Sequence, residues 1–568
     1  MSHKFFMSYY EYVRKHYDLR ENDVFIDSHA SSDLGGNLYY IAKQILSGRY
    51  GRFKVYISVK DLKNLPQNIK LLKQEFPSSG IRLVQQESRE KYYALAVSKY
   101  LFTDVQLSIF YVKRAGQVIV QTWHGTPLKK LGYSYVEDVA FTGGQKKSFI
   151  MAAYNLFPNE YTMQHMLESY RLRNNMEGTI LLNGYPRNGV FFDTDAASRL
   201  RLQMGLENSR VYAYMPTWRG TLTNSENAIR EQADFLQKMD ERLGKNQVFY
   251  VKLHRLVSQE IDFSEFRQIR QFPQDKETYE FLASVDCLIT DYSSVMFDFL
   301  CTRKKIILYV YDKDQYLKKQ GTYIDMDELP FPQVDDLDLL IKEMSLEKQY
   351  DDAEAFNRFC LYDNISAAQQ LCDKIIWESD TCREVIPQKD NGQNILLYGG
   401  SLHANINTQR FIHYLDQIEH TEDNYCVVYK STDFFNYPIR LQAIVDTFDL
   451  HSIECSCGVI GNNTLRRQRW QSRLVKDSVI NKRALLKLKK IFAMVFEQQL
   501  CGRHFDKIIT FPGTPPDLME LFLFADVKEK IFYVDSKMMG DPEYLLLIEY
   551  AREQKYTVRE CDKNFFLI

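Results

Sequence analysis

No stretch of this sequence is apolar for long enough to be read as a membrane span. The nearest candidates are cut by charge, as Lys99 and Asp104 cut the segment around Tyr100, Leu101 and Phe102, whereas a span needs about 20 predominantly apolar residues. The first eighteen residues carry Lys4, Glu11, Arg14, Lys15 and Asp18, so the apolar centre of a secretory signal is missing. A disulfide framework is missing too. The 10 Cys of this 568-residue chain have no regular spacing, and Cys455 and Cys457 fit neither a zinc knuckle nor a redox pair. An excess of one charge is also absent: 72 basic against 74 acidic side chains leave a net charge of −2, which removes any global attraction to nucleic acid. No short repeat or low-complexity segment occurs. These absences describe a protein of a reducing cytoplasm that can touch a membrane from one side.

What is present is an ordinary folded composition, 45% hydrophobic and 26% charged, with 38 Tyr and 36 Phe to fill large cores or stack on rings. The length calls for several domains. Short β-branched or aromatic runs at 23–27, 54–59, 82–84, 118–123 and 179–182 alternate with amphipathic stretches, the pattern of βαβ units and a parallel sheet. A second series follows at 211–215, 247–253, 287–290 and 304–310. A third begins at 394–400 and continues at 426–429, 507–511 and 530–534. The predicted architecture is α/β: a Rossmann-like lobe over 1–190, a second over 191–378, a linker over 379–393 rich in turn residues, and a third Rossmann-like domain over 394–568. Two lobes in tandem predict a cleft between them.

Two histidines stand just after predicted strands. His124 follows the run from Val118 to Trp123 and precedes Gly125, Thr126 and Pro127; His254 follows the run from Val248 to Leu253. Strand ends of an open α/β sheet face the ligand crevice, and an imidazole that titrates near neutrality can take a hydroxyl proton. Asp291, Tyr292, Ser293 and Ser294 lie where a strand gives way to a helix. Asp291 or Ser293 would cap that helix, and its N–H groups and hydroxyls would cradle a phosphate; plain capping explains the same residues equally simply. Thr217, Trp218 and Arg219 leave another strand, and Arg219 could grip phosphate oxygens. Arg187, in the turn Gly184 to Asn188, reads as a structural residue as readily as a ligand contact. Between Leu465 and Lys490 lies a basic block that reads as a solvated helix exterior ahead of a surface for polyanions or anionic lipid.

Taken in order, these segments resemble the CDP-glycerol glycerophosphotransferase family of teichoic acid polymerases and primases. The matching pieces are Trp123 to Lys129 with Leu131 and Gly132, Gly184 to Asn188, Pro216 to Arg219, Lys252 to His254, and Thr290 to Asp298; Ser28 with Gly35, Gly36 and Asn37 looks like the family's first loop. The resemblance covers roughly residues 5 to 375. It implies a GT-B-like fold with the acceptor on the first lobe and the CDP-activated donor on the second, and it places His124 and His254 on the family's two essential histidines. Two departures stand out: Arg255 follows the second histidine where the family has Pro, and Gln320 precedes Gly321 where the family has Arg. The third domain resembles the first lobe of family-4-type glycosyltransferases, through Leu396 to Gly400, Asn405 and Phe505 to Phe511.

The expected activity is transfer of a polyol phosphate, most simply glycerol phosphate, from a CDP-polyol to a hydroxyl of a lipid-linked or polymeric acceptor, with release of CMP. His124 and His254 are the expected catalytic pair. Thr217, Arg219, Asp291, Ser293, Ser294 and Asp298 are expected on the donor phosphates, and Asn37, Gly125, Thr126, Lys129 and Arg187 along the acceptor side. No cofactor is required, with assistance by Mg²⁺ left open. The expected partners are CDP-glycerol or a related CDP-polyol, a lipid-linked polyol-phosphate acceptor and the cytoplasmic face of the cell membrane, touched peripherally, with no nucleic acid. Two other readings remain: a GT-B glycosyltransferase using a nucleotide sugar, and a non-catalytic protein that binds a polyanion or membrane.

Overall fold

The structure, a computed structural model, describes residues 3–77, 80–108, 111–135, 139–217, 225–253, 260–387, 392–400, 402–403, 405–418, 422–430, 438–448, 450–455, 475–476 and 479–561. Its framework is three mostly parallel sheets. The first holds β1 (Arg20–Asp27), β2 (Lys54–Val59), β3 (Ile81–Gln85), β4 (Ser98–Thr103), β5 (Val118–Gln121), β6 (Tyr154–Phe157) and β7 (Thr179–Leu182). The second holds β8 (Arg210–Met215), β9 (Gln247–Val251), β10 (Ile269–Gln271), β11 (Cys287–Thr290), β12 (Lys305–Tyr309) and β13 (Gln333–Val334). After β14 (Arg383–Val385), the third holds β15 (Asn394–Tyr398), β16 (Asn424–Tyr429) and β17 (His451–Glu454). A small hairpin of β18 (Val475–Lys476) and β19 (Val479–Ile480) precedes the last three strands, β20 (Lys507–Thr510), β21 (Glu529–Val534) and β22 (Thr557–Glu560).

The central strands are buried along most of their length, as in β11 and β12. Parallel sheets are covered by helices on both faces, so their strands read as near-continuous apolar runs. Those runs are the ones the sequence announces. Strands β4, β6, β10, β13, β17 and β22, and β14 in the expected linker, escape it, β4 and β10 for local reasons. The helix Arg89–Val97 passes directly into β4 without a Gly or Pro between them, and β10 has only three residues.

Neighbouring strands run β14-β7-β6-β5-β4-β1-β2-β3 in the first sheet, β10-β9-β8-β11-β12-β13 in the second and β17-β16-β15-β20-β21-β22 in the third. In each, the order reverses between two central strands: β1 and β4, β8 and β11, β15 and β20. Loops leaving those strands diverge to opposite faces and open a crevice, where open α/β sheets bind ligands.

Within the stretch expected to be a linker, Arg383–Val385 is a strand, β14, that pairs antiparallel with β7. The third sheet then packs on the first lobe. Trp123, Phe149 and Ile180 share one apolar cluster with Leu396, Tyr398 and Phe522, and Tyr133 Oη lies 2.8 Å from Ser452 Oγ. The described part of the basic block is the hairpin β18–β19, which carries Lys476, and the start of the helix Lys482–Gln499, capped by the Asn481 side chain. Ala484, Leu488, Phe492 and Val495 bury its apolar face, while Arg483, Lys487 and Lys490 stay on the outside. This is the solvated exterior that the charge pattern favoured; Arg466, Arg467, Arg469 and Arg473 lie outside the described residues. Among the described residues, no helix is long and apolar enough to cross a membrane.

Candidate active site

At the crevice of the first sheet the chain leaves β1 through Ser28, His29, Ala30 and Ser31 and leaves β4 through Asp104. His29, Ala30 and Ser31 have φ of 46°, 53° and 68°. Side chains with a Cβ avoid this left-handed region, and such strain persists only where surrounding contacts enforce it. The contacts are buried here. Asp104 accepts hydrogen bonds from His29 N (2.9 Å) and Ser28 Oγ (3.0 Å). Ser31 Oγ donates to Asp27 Oδ1 (2.9 Å), and Lys91 Nζ reaches both Asp27 Oδ2 (2.9 Å) and Ser31 Oγ (3.2 Å). The helix Gly36–Leu46 starts at once on this loop, and a Cβ on Gly35 would lie 3.1 Å from Cε1 of His29.

His124 sits beside this loop. Strand β5 ends at Gln121, and Trp123 turns the chain with a φ of 50°, bringing the two rings to a centroid distance of 3.9 Å. The Nδ1 atom of His124 is 3.3 Å from the backbone oxygen of Asp104. A carbonyl can only accept, so Nδ1 carries the proton and Nε2 keeps the lone pair. His124 is exposed to solvent, yet Trp123, Asp104, Arg187 and His29 crowd its ring. Burial, reinforced by the Arg187 guanidinium and His29 against the Asp104 carbonyl bond, lowers its pKa to about 4. His124 is therefore neutral near pH 7, the state of a proton acceptor. Asp104 moves the opposite way: burial pushes its carboxyl upward, against His29 and the hydrogen bonds that favour the anion.

The crevice of the second sheet is tied differently. Both Asp291 oxygens accept from Thr217 N at 2.9 Å, and Oδ1 also accepts from Thr217 Oγ1 (2.7 Å) and Tyr292 N (2.6 Å). Asp291 and Thr217, both expected on the donor phosphates, are instead engaged with each other and join the ends of β8 and β11. The helix that follows is short, Val295–Phe299. Neither Asp291 nor Ser293 caps it: Ser294 holds the cap position without a side-chain cap bond. Its few peptides sum to a small dipole, so the anion-attracting capacity expected there rests on half-buried Ser293 and Ser294 and their turn. Lys252, which follows β9, adds a cation. Its Nζ donates to Thr278 Oγ1 at 2.5 Å, and burial lowers its pKa while Glu277 and Asp33 raise it.

The two crevices meet. A Cβ on Gly125 would come within 2.7 Å of Ser294 Oγ, so the histidine loop and the serine turn are in direct contact. Arg187 and Asp298, expected on acceptor and donor respectively, are paired with each other. Arg187 Nη2 lies 3.1 and 2.9 Å from the two carboxylate oxygens, and the side chains are only 4% and 3% exposed. Arg187 Nη1 also donates to the His124 backbone oxygen (3.0 Å), and Tyr279 Oη to Asp298 Oδ2 (3.1 Å). The pair clamps the lobes and positions the His124 loop. Buried Asn37 accepts from Arg187 N at 3.4 Å. Thr126 is buried against Asn159 and Thr162, which makes it a packing residue. Lys129 Nζ stands 5.4 Å from the Tyr316 ring on the second lobe.

His254 and Arg219 lie outside the described residues. Sequence alone gives no role to His29, Asp104 or Lys252, although Lys252 stands in the matching segment Lys252 to His254. Asp104 looked like a charge interrupting an apolar run, although it follows the pattern that singled out His124: a polar residue directly after a buried strand.

A family model described as CDP-Glycerol:Poly(glycerophosphate) glycerophosphotransferase matches residues 8–377. A teichoic acid poly(glycerol phosphate) polymerase of Staphylococcus epidermidis is 30% identical over 392 residues, covering 64% of this chain and 52% of that protein. A teichoic acid glycerol-phosphate transferase of Staphylococcus aureus is 28% identical over 326 residues, covering 53% of this chain and 82% of that protein. The chain thus spans about half the length of the first relative and most of the second. The solved structure of the wall teichoic acid polymerase TagF aligns with a TM-score of 0.56 at 24% identity, over 66% of this chain and 93% of that chain, which establishes the shared fold. The third sheet lies beyond the residues matched by the family model.

Proposed function

The chain belongs to the CDP-glycerol:poly(glycerophosphate) glycerophosphotransferase family, and from that premise we propose that it transfers a polyol phosphate from a CDP-polyol, CDP-glycerol first, to a hydroxyl of a polymeric or lipid-linked acceptor of the teichoic acid kind. The observation that carries this reading is His124: a neutral imidazole with Nδ1–H directed at the Asp104 carbonyl and Nε2 unprotonated, on a loop in contact with the Ser294 turn.

The acceptor hydroxyl gives its proton to Nε2 of His124 as its oxygen attacks the β-phosphorus. A phosphodiester forms, the bond from that phosphorus to the bridging oxygen breaks, and CMP leaves with the bridging oxygen. Ser293, Ser294 and Lys252 line the route along which negative charge builds, with Arg219 and His254 assigned there by the family motif. Preorganised donors and charges in a cleft that sheds water commonly contribute more than the base itself. The Arg187–Asp298 clamp fixes the distance between the attacking and leaving sides. No resident cofactor enters this scheme, and Mg²⁺ is a variable of the assay. The enzyme works at the cytoplasmic face of the membrane, where nucleotide-activated polyol and lipid-linked acceptor meet. The third domain, docked beside Trp123, serves as a buttress on the acceptor side.

The test is product analysis with purified protein, labelled CDP-glycerol and a synthetic lipid-linked acceptor. CMP release together with a lengthened acceptor is expected, and full turnover in His124→Ala or His254→Ala would remove the assigned roles. Calorimetric titration with CDP-glycerol, CDP-ribitol and a UDP-sugar identifies the donor; preference for the UDP-sugar would make the protein a glycosyltransferase.

A further inference from the structure

Asp104 touches two imidazoles. Its backbone oxygen faces Nδ1 of His124 at 3.3 Å, and its carboxylate binds the backbone of His29 and lies 3.7 Å from the His29 ring nitrogen Nε2. His29 thus stands beside the proposed base, on the loop that leaves β1 where the first sheet reverses its strand order. That position is where an open α/β sheet receives its ligand. Its side chain is 46% exposed, and its ring contacts are long: 3.5 Å from Nδ1 to Ser28 Oγ and 3.7 Å to Asp104. Both exceed an ordinary N–H to oxygen hydrogen bond, so the ring retains donor capacity. The loop is also held in a costly conformation. Three successive residues with left-handed φ are locked by the buried Lys91, Asp27, Ser31 and Ser58 network. Backbone strain of this kind gathers at ligand-binding sites.

We infer that His29 is an acceptor-binding residue, donating a ring N–H to a phosphate oxygen of the acceptor's last polyol-phosphate unit while that unit's hydroxyl lies at His124. The inference rests on the proposed transfer reaction and adds to it a specificity determinant: recognition of an acceptor that already carries a phosphodiester. In a polyol-phosphate chain the phosphodiester follows the terminal hydroxyl by a few bonds, and the two imidazoles are spaced through the single residue Asp104. Across the cleft, the charges of Lys252 and Asp33 act on each other, so the group bound by His29 enters between polar walls.

The test uses the full chain and two variants chosen for the left-handed backbone. His29→Gly removes the ring and relaxes the strain, and His29→Asn keeps an N–H donor on a residue that tolerates this region. Calorimetric titration with a short glycerol-phosphate oligomer should show binding weakened by about tenfold or more in His29→Gly, the scale of one hydrogen bond to a charged group, and partly restored in His29→Asn. The affinity for CDP-glycerol should not change. In turnover, the acceptor KM should rise far more than kcat falls. Unchanged oligomer affinity in His29→Gly, an equal loss for CDP-glycerol, or no oligomer binding by the natural chain would each overturn the inference. If the oligomer binds and depends on His29 but no CMP is released from CDP-glycerol, the acceptor site stands and the transfer reaction fails.

Discussion

The first and second sheets have the same strand order around their crevices, yet the two crevices are finished in opposite ways. In the second, the residues leaving the central strands satisfy each other: Asp291 takes up Thr217, and the helix beyond is short and conventionally turned. In the first, Asp104 also crosses to the neighbouring loop, but that loop is strained, and two imidazoles, His29 on it and His124 after β5, stay open to solvent. A shared scaffold therefore fixes where ligands bind, while chemistry depends on which polar groups remain unspent after the loops are tied. On the proposed reading, the described residues of the second crevice form a receptacle for the donor, and the first supplies His124 as the base.

The strongest way to break this contrast is to remove the base. His124→Ala should lower CMP release by about 10²- to 10⁴-fold, the usual contribution of a positioned general base, with CDP-polyol affinity retained by calorimetry. Next comes the clamp that holds the crevices together. Arg187→Ala leaves the Asp298 carboxylate buried without its cation, held only by Tyr279 among the described contacts, and urea unfolding should show a loss of about 3–5 kcal/mol. Replacing both partners by apolar residues, Arg187→Met with Asp298→Leu, should recover much of that stability but not the activity, because the His124 backbone oxygen loses its Arg187 donor.

A smaller effect is expected where the loops touch. Gly125→Ala drives a methyl against Ser294 Oγ. Overpacking of this kind costs about 1–3 kcal/mol, read as a lower Tm, and adding Ser294→Gly should restore it.

The smallest effect sharpens the contrast through pH. His124 has its pKa lowered to about 4 from 6.5, so between those values the unfolded chain binds more protons than the native one. Its contribution to stability is complete above about pH 6.5 and is lost as pH falls toward 4. Asp363, whose carboxyl burial pushes up to about 7, acts with the opposite sign between its ordinary 3.8 and 7. His124→Gln should therefore remove only the rising component of stability against pH. In activity, the acid limb of kcat/KM assigned to His124 should fall near pH 4 rather than 6.5. A limb near 6.5 that survives His124→Gln would assign the proton step elsewhere.

Much of the fold is legible because buried parallel strands must be apolar along their whole length. The runs that end at Asp27, Val59, Leu182, Met215 and Thr290 could be found one residue at a time. His124 was legible for a related reason: it follows such a run directly. Thr217, Asp291, Asp298 and Arg187 could be located in their segments but not given their roles, because each role depends on a partner far along the chain. Arg187 and Asp298 stand 111 positions apart, and no local pattern distinguishes a guanidinium that will meet a carboxylate from one that will meet a phosphate. Asp104 and His29 are 75 positions apart, and separately they look like a strand-breaking acid and a loop histidine.

Sequence alone settled the α/β class, the sites of most sheet strands and the presence of a histidine at a strand end, because these follow from local periodicity and from which side chains a buried strand tolerates. Tertiary structure decided which polar groups were used up and which stayed available. That outcome turns on desolvation and hydrogen-bond partners supplied by distant segments, and so exists only once the strands β1 and β4, and the two lobes across Arg187 and Asp298, have come together.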